Sequence, residues 1–63
     1  MRRNYKDARE RCGFGIGDAA RALGVSVQTL TSYEDGATSP KADLIHDMCK
    51  LYGCTATYLL ALA

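Results

Sequence analysis

Apolar residues recur at helical spacing along almost the whole chain, which has 63 residues. The most regular set occupies positions i, i+3, i+4 and i+7 and consists of Ile16, Ala19, Ala20 and Leu23. This spacing places the side chains on one helix face, whereas a strand would alternate with a period of two, a pattern not found here. The stripes predict five helices, over about residues 4–12, 16–23, 27–35, 41–52 and 55–62. We therefore expect residues 1–63 to form a single all-α domain, a compact five-helix bundle.

Polar caps and glycines mark the ends of the predicted helices. Asn4, Ser26 and Thr55 stand where a side-chain oxygen can accept a hydrogen bond from a backbone N–H of the first helical turn. Asp7, three residues after Asn4, would complete an acidic variant of the capping box. Glycines able to take left-handed conformations follow the first four stripes, at Gly13, Gly24, Gly36 and Gly53.

The residue sizes around Gly24 predict that the second and third helices cross through a short turn. The spacing is Ala20-x3-Gly24-x5-Leu30-x2-Tyr33. A small side chain at Ala20 allows the two helices to approach each other, and Gly24 tolerates the positive φ that the turn needs. Leu30 and Tyr33 lie on the inner face of the third helix. This combination is typical of a helix-turn-helix over residues 16–35, although an unrelated helical hairpin could share parts of it.

Composition and charge indicate the class of protein less clearly than the spacing of the apolar residues does. The chain is 48% hydrophobic and 24% charged, as expected for a globular domain, and its net charge is only +1. The basic residues crowd towards the start, at Arg2, Arg3, Lys6, Arg9 and Arg11. The first two are expected in an arm or in the first turn, and the group is weaker than the basic patch of most nucleic-acid-binding domains. No apolar stretch approaches the roughly 20 residues that span a bilayer, so we expect a cytoplasmic protein without a membrane partner.

Cysteine and glycine motifs that could indicate a cofactor do not meet the necessary spacing. Cys12, Cys49 and Cys54 form no Cys-x-x-Cys pair, so reduced thiols are expected. His46 and Cys49 share a helix face at i and i+3, but a metal site there is the less favoured interpretation. The run Gly13-x-Gly15-x-Gly17 lacks the preceding strand of a dinucleotide site. With one histidine and no nucleophile–base set, we expect no catalysis, no cofactor and no small-molecule ligand.

The segments ALGVSVQTLTSYEDG and LYGCTATYLL, with Pro40 between them, resemble the Cro and phage-repressor family. This is the xenobiotic-response-element type of bacterial helix-turn-helix, and the resemblance runs from about Tyr5 to Leu60. It implies a lambda-repressor-like fold in which helices 2 and 3 form the motif. It also implies sequence-specific binding of double-stranded DNA by a small transcriptional regulator, with the third helix in the major groove.

The same resemblance implies which residues face DNA. Base contacts would come from the outer face of the third helix, at Val27, Gln28, Thr31 and Ser32. Gln28 is the best candidate for direct readout, because its amide can form two hydrogen bonds with adenine. Phosphate contacts would come from Gly15, Ile16, Gly17, Ser26, Thr29 and Lys41. Gly15 and Ile16 replace the Ser-Gln that commonly opens the second helix of the family, so only backbone N–H groups could contact phosphate there.

A buried ion pair is a further implication of the resemblance. Members of the family often join an arginine of the first helix to the glutamate of a Tyr-Glu-x-Gly segment, here Tyr33-Glu34-Asp35-Gly36. Arg9 lies beside the apolar stripe of the first helix, where a charge is unexpected unless it is paired. We therefore expect Arg9 to pair with Glu34 and not to bind phosphate.

The third helix has no lysine or arginine, which predicts weak DNA binding by a single domain. A homodimer on a near-palindromic operator would compensate. Its contact is expected on the C-terminal helix, at Tyr58, Leu60 and Leu62. Burial of that surface against the first helix is the alternative. A second candidate function is a protein-interaction module, such as an antitoxin-like domain that keeps the fold. Whether the chain is a whole regulator or the first domain of a longer one stays open.

Overall fold

Five helices make up the described part of the computed structural model, which is residues 2–60. They are α1 (Arg3–Arg11), α2 (Ile16–Leu23), α3 (Val27–Asp35), α4 (Ala42–Tyr52) and α5 (Ala56–Leu60). No strand occurs within residues 2–60, so the prediction of an all-α fold is confirmed. The observed starts, and the ends of α1 to α4, lie within one residue of the predicted positions. The predicted end of the fifth helix, at residue 62, lies outside the described residues.

Most of the predicted helix ends are confirmed. The Ser26 hydroxyl accepts a hydrogen bond from the Thr29 backbone N–H at 3.0 Å, and the Thr55 hydroxyl accepts one from the Tyr58 N–H at 3.1 Å. The glycines that follow α1 to α4 all have positive φ, at Gly13, Gly24, Gly36 and Gly53. Each turn therefore has the left-handed residue that the pattern predicted.

The predicted cap of the first helix is wrong. Helix α1 begins at Arg3, its N-cap position is Arg2, and no side-chain hydrogen bond caps it. Asn4 lies inside the first turn, and its side-chain amide donates a hydrogen bond to the Tyr58 backbone carbonyl at 2.7 Å. Asn4 therefore joins α1 to α5 through a hydrogen bond from its side chain to the backbone.

The core contains apolar residues from all five helices. They are Tyr5, Ala8, Ala19, Ala20, Leu30, Ile45, Met48, Tyr52 and Leu59. Leu30 and Met48 are the largest fully buried side chains, so α3 and α4 contribute the centre of the core. Helix α2 contributes two alanines, which allow α3 to pack closely against it.

The hydroxyl of Tyr52 is buried without a hydrogen-bond partner among residues 2–60. Burial raises the pKa of Tyr52 to about 12, with the nearby Glu34 carboxylate as a smaller cause. We expect Tyr52→Phe to leave the free energy of unfolding at neutral pH unchanged, or to raise it by about 1 kcal/mol, because an unpaired buried hydroxyl destabilises the folded state.

Tyr52→Phe should also change how the free energy of unfolding depends on pH in alkaline solution. An unfolded tyrosine ionises near pH 10, so above that pH the unfolded parent loses a proton that the folded parent keeps until about pH 12. The parent therefore loses stability across this window, and Tyr52→Phe lacks that contribution. Urea unfolding at neutral pH and within the window measures both effects. Equal losses in parent and variant would contradict the burial of an ionisable group at this position.

Candidate nucleic-acid interface

Helices α2 and α3 are joined by residues 24–26 and form a helix-turn-helix. Gly24 has φ 73° and ψ 27°, the left-handed conformation that this turn requires. The Val25 backbone N–H donates to the Ala20 carbonyl at 3.0 Å, which closes the end of α2. Ala20 and Leu30 are both buried at the crossing of the two helices. The turn and its packing therefore hold α3 against α2 in a defined orientation.

The outer face of α3 brings together the four residues predicted to contact bases. Val27, Gln28 and Thr31 are exposed, and Ser32 is half-buried. Val27 is an exposed large apolar residue, with 47% of its surface accessible. Gln28 and Ser32, at i and i+4, lie opposite the buried Leu30 and Glu34. Val27 and Thr31 lie at the exposed border of the buried stripe, because each is three residues before one of its members. Ser32 is the least accessible member of the set.

The two hydroxyls at the start of α3 are not equivalent. Ser26 accepts from the Thr29 backbone N–H, and its own hydroxyl donates to the Thr29 hydroxyl oxygen at 2.8 Å. The Ser26 hydroxyl therefore both accepts and donates a hydrogen bond within the chain. The Thr29 hydroxyl keeps its hydrogen for an outside acceptor. Of these two predicted phosphate contacts, Thr29 is the one with a side-chain donor to offer.

The N-terminus of α2 carries free backbone donors beside an acidic side chain. The first helical bond runs from the Ala19 N–H to the Gly15 carbonyl at 3.0 Å, so the three preceding N–H groups can point towards an anion. The Ile16 side chain is half-buried and packs against the core, so it takes no part. Asp18 lies in this first turn, and its carboxylate is 3.7 Å from the Arg21 guanidinium. The acidic charge beside these donors is thus partly balanced.

Lys41 lies at the other predicted phosphate position, the N-cap of α4. Lys41 is exposed, and its side chain has no ion-pair partner among residues 2–60. Its ammonium group is therefore available to an outside anion. Since α3 has no lysine or arginine, Lys41 supplies a positive charge that the outer face of α3 lacks.

A buried ion pair fixes α3 to α1. The Arg9 Nε donates to Glu34 Oε2 at 2.8 Å, and its Nη2 donates to Oε1 at 3.2 Å, so the contact is bidentate. Arg9 is 8% exposed and Glu34 is 5% exposed. The hydrogen bond to Glu34 raises the pKa of Arg9 against the opposing effect of burial. The pairing expected between these two residues is present, and Arg9 is not accessible to a phosphate.

A second arginine, Arg2, holds the C-terminal end of α3 and was missed by the sequence reasoning. Its guanidinium donates to the Tyr33 carbonyl at 2.9 Å, to the Thr38 carbonyl, and to the Ser39 hydroxyl at 2.8 Å. Its backbone N–H donates to the Glu34 carbonyl at 2.7 Å. A cation is favourable at this end of a helix, where carbonyls are unpaired. Arg2 is therefore no free arm, and no local sequence signal connects it to residues more than thirty positions away.

The C-terminal helix places its predicted dimer residues in different environments. The Tyr58 hydroxyl donates to the Asp7 carboxylate of α1, so Tyr58 faces the molecule itself. This is the alternative that the sequence left open. Leu60 is 56% exposed and borders an apolar groove of about 400 Å³. The groove is lined by Ala42, Ile45, His46, Cys49, Ala56 and Leu60. Leu62 lies outside the described residues.

Among residues 2–60, no third side chain stands beside His46 and Cys49 to complete a metal site. Within residues 2–60, no group of three or more histidine, cysteine, aspartate or glutamate side chains could hold a metal ion. Cys12, Cys49 and Cys54 are all free thiols. Over the same part of the chain, none of the helices has the length and apolar character needed to cross a membrane.

Comparison with known proteins identifies similar sequences. A family model described as a helix-turn-helix domain matches residues 6–62. A protein of Saccharolobus solfataricus is 38% identical over 53 residues, which cover 81% of this chain and 17% of that protein, and a protein of Saccharolobus islandicus gives the same values. A protein of Archaeoglobus fulgidus is 52% identical over 31 residues, or 49% of this chain and 10% of that protein. No solved structure matches the chain.

These three relatives are all provisionally named as helix-turn-helix-type transcriptional regulatory proteins. The chain spans less than a fifth of their length, 17% of the two Saccharolobus proteins and 10% of the Archaeoglobus protein. The similarity therefore concerns one domain of much longer proteins.

Proposed function

Because this chain belongs to the helix-turn-helix domain family, we propose that it binds double-stranded DNA as the recognition module of a transcriptional regulator of the Cro and phage-repressor type. The observation that carries the proposal is the two-sided character of α3. One stripe is buried through Leu30 and the ion-paired Glu34, while Gln28 on the opposite side, and Val27 and Thr31 at the border of the stripe, are exposed. An anchored helix with an unused outer face is suited to enter the major groove.

In this arrangement Gln28 reads a base and the backbone positions the helix. The Gln28 amide can donate and accept at the N6 and N7 edge of adenine, and Val27 can contact a thymine methyl group. Phosphate contacts come from the Thr29 hydroxyl, the free N–H groups at the start of α2, and Lys41. Because few of these groups carry a positive charge, one domain alone should bind DNA weakly.

We propose that two copies bind together on a near-palindromic site. Leu60 stands exposed beside the apolar groove between α4 and α5, so a second copy related by a twofold axis could place its own Leu60 there. The groove begins at Ala42, next to the proposed phosphate ligand Lys41. Half-sites about 34 Å apart would then present both recognition helices to one face of the DNA.

The substitution Gln28→Ala tests the proposed readout. We expect it to weaken binding to the preferred DNA site by about 1–3 kcal/mol and to relax specificity at one base position. The measurement is selection of bound sequences from a random DNA pool, followed by titration of parent and variant on the selected site. Thr57→Ala, at an exposed position of α5, is the matched control and should bind like the parent. A uniform loss on all sequences would show that Gln28 positions the helix without reading a base.

One observation favours a second candidate function, a module that binds another protein. Helix α3 carries no lysine or arginine, and its outer face includes the exposed apolar side chain of Val27. A face of this kind could contact a protein surface. The two candidates differ in whether the folded chain binds any DNA at low salt.

A further inference from the structure

The turn after α4 brings two cysteines together. Gly53 has φ 66° and ψ 36°, and the Cys54 backbone N–H donates to the Cys49 carbonyl at 3.1 Å. The Gly53 backbone N–H also donates to the Cys49 carbonyl, so both residues that follow α4 close onto Cys49 in a left-handed cap. The side chains of Cys49 and Cys54 are therefore neighbours across the end of the helix.

Other features of the two thiols agree with this proximity. Burial raises the pKa of the Cys54 thiol, and the adjacent Cys49 thiol raises it further. A disulfide needs Cα atoms about 4.4–6.8 Å apart, and the direct backbone hydrogen bond holds the two residues at close range. The third cysteine is engaged differently, since the Cys12 thiol donates to the Tyr52 carbonyl at 3.0 Å.

Both thiols can be reached from outside the molecule. Cys49 and Cys54 are half-buried rather than enclosed. Cys49 lines the apolar groove of about 400 Å³, and Cys54 lines a separate cleft of about 140 Å³ beside Arg11 and Tyr58. A small oxidant therefore has access to the pair from two sides.

We propose that Cys49 and Cys54 are a reversible oxidation site, at which a hydroperoxide closes a disulfide across the C-terminal end of α4. The Cys49 thiolate attacks the peroxide oxygen, forms a sulfenic acid and releases the alcohol or water, because burial disfavours the thiolate of Cys54. The second thiol then attacks the sulfenic sulfur, forms the S–S bond and releases water. Two thiols and one hydroperoxide thus give one disulfide, one water and one alcohol or second water. A dithiol reductant reverses the oxidation by thiol–disulfide exchange. This oxidation does not require DNA binding, but Cys49 lines the groove in which we place a second copy, so that copy would cover the pair from this side.

The sequence makes the bond simple to map. Trypsin cleaves after Lys50, between Cys49 and Cys54, and after Arg11 and Arg21, which flank Cys12. The three cysteines thus fall in three different peptides. After treatment of the folded chain with hydrogen peroxide and blocking of free thiols, we expect peptides 42–50 and 51–63 to be linked in the absence of reductant and separate in its presence. Cys12→Ser should keep this link, and Cys54→Ser should lose it.

The role of the fold is tested by equilibrium with glutathione. If the turn at Gly53 presents the two thiols to each other, the disulfide should be favoured by about tenfold or more in native buffer over denaturing guanidinium chloride. This comparison uses the unchanged sequence, so a variant that fails to fold does not affect it. The proposal is overturned if the linked peptides contain Cys12, if the cysteines only form sulfinic or sulfonic acids, or if the native and denatured equilibria are the same. Cys49 and Cys54 would then only close the turn as small apolar side chains.

Discussion

Replacing Glu34 by alanine is expected to lower the free energy of unfolding by about 3–5 kcal/mol. The substitution leaves the Arg9 guanidinium, which is 8% exposed, without the carboxylate that accepts two of its hydrogen bonds. Arg9 would keep only its bond to the Phe14 carbonyl at 2.9 Å. An unpaired buried charge lowers the free energy of unfolding far more than the loss of a surface contact does. In a domain this small, such a loss removes much of the total stability.

Urea unfolding followed by circular dichroism measures this effect, and the chain offers a matched control. Arg21→Ala removes an ion pair whose side chains are 83% and 66% exposed, so it should change stability by no more than about 0.5 kcal/mol. The double variant Arg9→Met with Glu34→Leu should recover much of the loss, because it leaves no buried charge. If Glu34→Ala cost no more than Arg21→Ala, the pair would not hold α3 to α1 as we describe.

The second large effect is expected on DNA binding. If two copies bind one operator through the groove beside Leu60, Leu60→Asp should weaken binding to a two-half-site DNA by about 10²–10⁴-fold. The aspartate would place a charge in the apolar contact, and each copy would then bind its half-site separately. Folding should be little affected, since Leu60 is 56% exposed in the single chain.

Thr57→Asp is the control for this experiment. It adds the same charge to an exposed position of α5 that does not line the groove. Both variants should bind an isolated half-site equally, and only Leu60→Asp should lose the added affinity of the full site. Equal binding of the two variants to the full site would contradict a dimer contact at Leu60. Sedimentation of the protein–DNA complex reports the number of copies bound.

The helices were predictable because their signals are local. Apolar spacing such as that of Ile16, Ala20 and Leu23 follows directly from the helical period, and a left-handed glycine such as Gly24 ends a helix whatever its surroundings. The cap predicted at Asn4 failed for the opposite reason. Its partner, the Tyr58 carbonyl, is 54 residues away, and no short window of sequence contains both groups.

The candidate interface was predictable as a face, but the state of its individual donors was not. The positions of Val27 and Gln28 follow from the phase of α3. That the Ser26 hydroxyl is used within the chain, while Thr29 keeps a free donor, depends on a hydroxyl–hydroxyl bond of 2.8 Å that residue types alone do not specify. The contribution of Arg2 depends on how the start of α1 packs against the end of α3. Such contacts arise only once the helices are assembled.

A titration of folded protein with labelled DNA tests the central proposal most directly. Fluorescence anisotropy would compare a site selected from a random pool with a scrambled sequence, at low and at physiological salt. We expect tighter binding to the selected site, with an affinity that falls as salt rises because phosphate contacts release counterions. A folded chain that binds neither DNA at low salt would contradict the proposal and favour a module that binds another protein.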